Sequence, residues 1–300
     1  MVIVAALVLS AGGTQPSAAL PIAPAEGLAQ EPPGRKSFHA DRAMRHVRRL
    51  AGRIGVRLRA TRGERRGASY LAKKLRAYGY RVRVPTFSVD GRTSRNVVAR
   101  WPGSRRRAIV IGAHIDSVRG SPGANDNASG VAVMLELARV FAGRRASRYV
   151  RFIGFGSEEY GVDGRHHVGS HVYVRRIGRD GRRRVAGMVS VDMVADGRPL
   201  IAGTAGMASS VVARTLVRKF RRTGVRVVFR VTCDCSDNGP FERSGIPAAF
   251  VWSGTEPDYH SPSDTPRNLS PRDLRRTGRA MQAFVGAIDR GMIRRFLARR

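Results

Sequence analysis

Four apolar runs of this chain each lead to a residue able to bind a metal ion. Ala108–Ala113 (AIVIGA) runs into His114, and Tyr149–Phe155 (YVRFIGF) leads to the pair Glu158-Glu159. Met188–Val191 (MVSV) ends at Asp192, and Ile246–Trp252 (IPAAFVW) precedes His260 by a short loop. A fifth candidate, Asp126, stands in Asn125-Asp126-Asn127 just ahead of a helical pattern. Short apolar runs with helical patterns between them read as buried strands of an α/β sandwich. In an open α/β sheet, ligands gather outside the carboxyl ends of the strands. Polar residues at several strand ends therefore converge on one place, and that place has the composition of a metal site.

The rest of the pattern fits one domain over residues 36–300. A basic helix is expected over His39–Arg53, and a second over Gly63–Tyr78, stopped by Gly79. Tyr80–Val89 alternates as a strand, with Pro85 marking an edge or a bulge. Arg95–Trp101 and Val225–Val231 are further strands; Ala128–Phe141 and Met207–Phe220 are further helices. Asp273–Phe296 reads as one long terminal helix whose Leu274, Met281, Phe284, Val285 and Ile288 pack on the sheet.

Residues 1–19 carry the apolar run Val2–Leu9 and small residues at Ser17-Ala18-Ala19, and are expected to be a signal peptide. Residues 20–35 read as a disordered linker. Secretion, or at least an extracytoplasmic location, follows as an expectation. The net charge of +33 comes almost wholly from arginine spread along the chain, with lysine only at positions 36, 73, 74 and 219. That spread does not suggest a specific nucleic-acid stripe, but it allows weak association with an anionic cell envelope. A bridge between Cys233 and Cys235, so close in sequence, is geometrically awkward and is not assumed, though export would permit one; they read as loop cysteines without a metal role.

A two-zinc hydrolytic site needs carboxylates, histidines and a base. Two zinc ions would be neutralised by Asp126, Glu159, Asp192 and a bridging hydroxide, so the cluster could sit in a half-buried cleft without a large desolvation penalty. His114 and His260 would complete the shells. Glu158 and Glu159 are adjacent, so their side chains diverge: one can ligate while the other serves as general base. Asp116, two residues after His114, is placed to accept the other ring N–H of that imidazole.

The blocks His114-Ile115-Asp116-Ser117, Pro122 to Gly130 (PGANDNASG), Glu158-Glu159-Tyr160-Gly161, Val191-Asp192-Met193 and Tyr259 to Thr265 (YHSPSDT) together resemble the signatures of secreted bacterial di-zinc aminopeptidases, relatives of glutaminyl cyclases and glutamate carboxypeptidases. The resemblance runs in order from about Val47 to the C-terminal helix. It implies a three-layer sandwich with a central, mostly parallel mixed sheet flanked by helices. It implies two zinc ions per chain: His114 and Asp192 on one, Glu159 and His260 on the other, and Asp126 bridging. Glu158 would be the general base and Tyr259 an oxyanion donor. Substrates would be peptides or proteins with a free N-terminus, and the enzyme a monomer.

Two departures stand out. Asn238 occupies the place where the family often has His in a Ser-Asp-His block, which bears on substrate preference. The stretch after Glu159 (YGVDGRHHVGSHVYV) is longer than usual, and its His166, His167 and His171 are expected to be surface or loop residues. The alternatives are a one-zinc glutaminyl cyclase and a non-catalytic basic protein that binds polyanions.

Overall fold

The chain's apolar runs become the strands of a mixed sheet. The computed structural model describes residues 36–254 and 256–300. The expected signal peptide over 1–19 and linker over 20–35 lie outside the described residues. Helix α1 (Ala40–Val47) passes into a π-helical segment, Arg48–Ile54, so the expected basic helix changes pitch midway. Helix α2 (Arg62–Ala77) follows, with Thr61 Oγ1 accepting from the Gly63 N–H at its start. The strand expected over Tyr80–Val89 is two strands. β1 (Arg81–Arg83) lies at a sheet edge, whereas β2 (Thr86–Val89) leaves to pair with β3 (Arg92–Arg95) in a separate hairpin. Pro85 stands at the break, where its missing N–H ends the ladder.

Next come β4 (Val97–Arg100), β5 (Ala108–His114), helix α3 (Gly130–Phe141) and β6 (Val150–Phe155). Helices α4 (Val168–Arg176) and α5 (Gly178–Arg184) precede β7 (Val185–Val191) and β8 (Leu200–Thr204). The chain continues through α6 (Val211–Arg221), β9 (Val227–Val231), α7 (Asn238–Glu242) and β10 (Ala248–Trp252). The long terminal helix is two helices, α8 (Pro271–Gly286) and α9 (Arg290–Leu297). The break is a capping event: Asp289 is extended and its carboxylate accepts from the Met292 N–H at 2.7 Å. Leu274, Met281, Phe284, Val285 and Ile288 are all buried, as their spacing implied.

The eight-stranded order is β1-β4-β6-β5-β7-β10-β8-β9. The central four, β6, β5, β7 and β10, are parallel, and antiparallel pairings flank them on both sides. Within β5, Ile109, Ile111 and Ala113 join the larger core, with residues of α1, α2, α3, α6, α8 and α9, while Val110 faces the other side with Tyr173 of α4 and Phe241 of α7. The pleat thus buries both faces of one strand, giving the three-layer sandwich. Among the described residues no helix is long and apolar enough to cross a membrane. Cys233 and Cys235, whose pairing the sequence left open, form a disulfide. Their Cα atoms are 5.1 Å apart, inside the usual span of about 4.4–6.8 Å, so the short spacing does not prevent the bridge.

Candidate metal centre

The parallel strands end in register, and their ends carry the site. His114 is the last residue of β5 and pairs with Phe155 at the end of β6; Asp192 directly follows β7, whose Val191 pairs with Val251 of β10. Glu158 and Glu159 lie just past β6, and His260 lies in the loop after β10. Asp126 comes in from the segment before α3. That helix can start beside β7 only because residue 130 is glycine: a Cβ there would collide with the Val191 carbonyl oxygen. Asp264 fixes the approach, its two carboxylate oxygens accepting from the Asn125 N–H at 2.6 Å and the Asp126 N–H at 3.0 Å.

All five expected ligands come together, in two trios that share Asp126. His114 Nε2 lies 3.1 Å from Asp126 Oδ1 and 3.2 Å from Asp192 Oδ1. His260 Nε2 lies 3.2 Å from both Asp126 Oδ2 and Glu159 Oε2. Each trio offers three donor atoms close enough to hold one cation. Zinc bonds of about 2.0–2.1 Å place neighbouring tetrahedral donors roughly 3.3 Å apart, so the spacings within each trio suit a zinc ion. The electrostatics point the same way. Burial, then the surrounding carboxylates, drive Glu158 and Glu159 well above the usual carboxylate range, although the nearby histidines oppose this. His260 is half-buried, which lowers it, yet Asp126 and Glu159 lift it to about 10. Burial would raise Asp126, but hydrogen bonds from His114 and His260 hold it below the ordinary range. Carboxylates crowded in this way suit a divalent cation.

Asp116 is buried beneath His114, but its Oδ1 lies 3.7 Å from Nδ1, beyond hydrogen-bond reach, so the expected bond to the ring N–H is not made; its carboxylate instead accepts from the backbone N–H groups of Glu158 and Glu159 at 3.0 and 3.1 Å. Glu158 Oε2 lies 4.0 Å from His114 Nε2, and Glu158 forms with His114 and Glu159 a third group whose donor atoms are close enough to hold a cation, one without Asp126. Tyr259 is exposed, and its ring stacks on that of His260 with centroids 3.7 Å apart. A cavity of about 700 Å³ opens beside Glu159 and His260, lined by Leu58, Val118, Tyr160 and Val162 among others.

Several supporting residues escaped the sequence reading. Ser236 Oγ donates to Asp192 Oδ2 at 2.8 Å. The Arg57 guanidinium is fully buried and donates to the carbonyls of Ile115, Pro122 and Gly123, strapping the segment between His114 and Asp126; burial lowers it to about 10. Asp237 is buried, and burial together with Glu158 raises its carboxyl well above the usual range. Asn238 donates to Glu242 Oε1 at 2.9 Å. His167 corrects an expectation: it is not a surface residue but is 2% exposed, with Nε2 2.9 Å from Glu158 Oε1. The unusual length of its loop was the available signal, but pairing across that loop could not be read from spacing alone.

Residues 96–285 match the model of peptidase family M28. The chain is similar to leupeptin-inactivating enzyme 1 of Streptomyces exfoliatus, with 28% identity over 79% of this chain and 58% of that protein. It is also similar to aminopeptidase YwaD of Bacillus subtilis (strain 168), with 33% identity over 59% of this chain and 40% of the other. The chain thus spans about half the length of these relatives. Its fold is similar to that of BSAP, a zinc aminopeptidase from Bacillus subtilis, with a TM-score of 0.76 at 20% identity over 85% of this chain and 96% of that one. A glutaminyl cyclase from Fimbriiglobus ruber gives 0.75 at 25% identity over 86% and 98%. On its sequence match, the chain belongs to peptidase family M28.

Proposed function

We propose that this protein is a zinc-dependent aminopeptidase that hydrolyses N-terminal residues from peptides, using two metal ions per chain. One observation carries the reading: two ligand trios meet at Asp126 with the Glu158 carboxyl beside them. Family membership and the similarity to aminopeptidases support it. His114 and Asp192 would hold one ion, Glu159 and His260 the other, and Asp126 both. Bound zinc would supply a Lewis acid and lower the pKa of a water. Glu158 then takes the proton from the attacking water and returns it to the leaving amine. Asp116 holds the Glu158–Glu159 backbone in place beneath the His114 ring. The Tyr259 hydroxyl donates toward the oxyanion as it forms. The neighbouring cavity takes the peptide. The same reading makes the protein a secreted monomer whose basic surface favours anionic envelope polymers, with residues 36–300 as its one catalytic domain.

Metal content per purified chain and activity on a panel of aminoacyl p-nitroanilides test the proposal. About two zinc ions and hydrolysis are expected. Glu158→Gln should keep both ions and lose a hundredfold or more in turnover, on the order of what a general base contributes. Asp126→Ala should lose metal and activity together. Near wild-type activity in the first variant, or two retained ions in the second, would remove the assigned role. The similar cyclase fold motivates one further arm: a peptide with N-terminal glutamine that is cyclised without hydrolysis would move the assignment to acyl transfer, as would a single tightly held zinc.

A further inference from the structure

The loop after Glu159 closes back on the base. Backbone N–H groups of His167 and Val168 donate to the carbonyls of Glu158 and Ser157, at 2.6 and 2.9 Å. Arg59 braces the same loop from below, its Nη1 donating to the Glu159 and Arg165 carbonyls. Above, His166 stacks on Tyr160 and meets the His167 ring edge-on, with centroids 4.4 and 4.1 Å apart. The buried His167 ring is thereby held against Glu158: Nε2 is 2.9 Å from Glu158 Oε1, whereas Nδ1 stands 3.7 Å from Asp234 Oδ1, beyond hydrogen-bond reach. Asp234 is in turn held by an ion pair with Arg243 and by the Cys233–Cys235 bridge on either side of it. A Cβ on residue 239 would overlap the Asp234 carboxylate and force it to move, so glycine there lets Asp234 hold its place.

We propose that His167 is a positioning residue for Glu158: its Nε2 holds Oε1, so that Oε2 alone is presented to the reacting water. This rests on the aminopeptidase reading for its catalytic consequence, but not for the pairing itself. Whichever partner carries the proton, one hydrogen bond joins the two groups. Burial, then Arg243, holds the imidazole down at about 3, so it stands as a neutral ring with one N–H to share. A glutamate left free at Oε1 would rotate about its side-chain torsions, and a base displaced by an ångström loses much of its rate advantage.

The test uses the full-length, zinc-loaded chain. Residue 167 has a positive φ of 52°, which asparagine tolerates, so His167→Asn should fold while its shorter amide fails to reach Oε1. His167→Gln places an amide donor near the Nε2 position. For the best aminoacyl p-nitroanilide, His167→Asn should lower kcat about 10–100-fold with KM and zinc content unchanged, the loss typical of removing a group that orients a catalytic side chain. His167→Gln should recover part of it. In a Glu158→Gln background the same substitution should change kcat less than about threefold, whereas a merely structural role would multiply the full loss. A second readout does not need activity. The unfolding equilibrium constants of His167→Asn, Glu158→Ala and the double variant should be non-additive by about fivefold or more, as for residues in direct contact. If no substrate is hydrolysed, the aminopeptidase reading falls and this cycle still decides the pairing. Unchanged kcat in His167→Asn, a full multiplicative loss in the Glu158→Gln background, or additive unfolding would each overturn the proposal.

Discussion

At the scale of single residues, burial sets the chemistry of several histidines that the sequence presents alike. His46 is buried in α1, its Nδ1 2.6 Å from the Tyr70 hydroxyl, and burial together with Lys74 and nearby arginines lowers it to about 3. Its folded value lies below the unfolded one, so the unfolded chain takes up the proton first as pH falls. The stability it contributes is therefore complete above about pH 6.5 and is lost progressively toward pH 3. Between pH 6.5 and 5 wild type should lose on the order of 2 kcal/mol more than His46→Gln, at about 1.4 kcal/mol per pH unit. Denaturant melts at the two pH values check this; parallel losses would show that His46 does not titrate on unfolding. The same scale shows what was legible. His114, Asp126, Glu159, Asp192 and His260 could be found because each follows a strand-like run or precedes a helix. His167 could not, because its partner was chosen by loop closure. Arg57 could not be found either, because a basic residue far from the strand ends gives no sign of being fully buried beneath the acidic cluster.

Among the elements, uninterrupted apolar strands were the clearest. β5, β6, β7 and β10 fall where the apolar runs are, because a strand buried on both faces is largely apolar, with Arg151 of β6 and Ser190 of β7 the exceptions. β8 (LIAGT) was missed: it is short and follows Arg198-Pro199, so its run lacks length. The break between α8 and α9 was missed because apolar spacing continues through it, while the capping role of Asp289 depends on its backbone leaving the helix. This makes a sharp prediction. Asp289→Ala should destabilise the protein by about 1 kcal/mol, the usual loss of an N-cap. In an unbroken helix the same substitution would stabilise, since alanine is the better helix former. Urea unfolding of the two proteins distinguishes the signs.

For the molecule as a whole, the proposed ligands span residues 114 to 260, so the unfolded chain would have no such site and metal binding would draw the folding equilibrium toward the native state. Removing zinc with a chelator should lower the melting temperature, by an amount equivalent to about 4 kcal/mol when free metal had stood a thousandfold above its dissociation constant. Asp126→Ala should show little of this shift in differential scanning calorimetry, and an equal shift would place the stabilising metal elsewhere. The mixed sheet and its helices were legible because alternation of strands and helices leaves few other architectures. The hairpin of β2 and β3 was not, since only tertiary packing shows that a strand has left the main sheet. The closed loop between Glu158 and His167 also bears on how such a protein can diversify. Its ends are clamped by backbone bonds while Val162 at its tip is fully exposed. Residues at that tip can be lengthened, shortened or replaced without moving the glutamates, so a splice of foreign sequence at Val162 would leave the scaffold intact and change only what meets the cavity mouth.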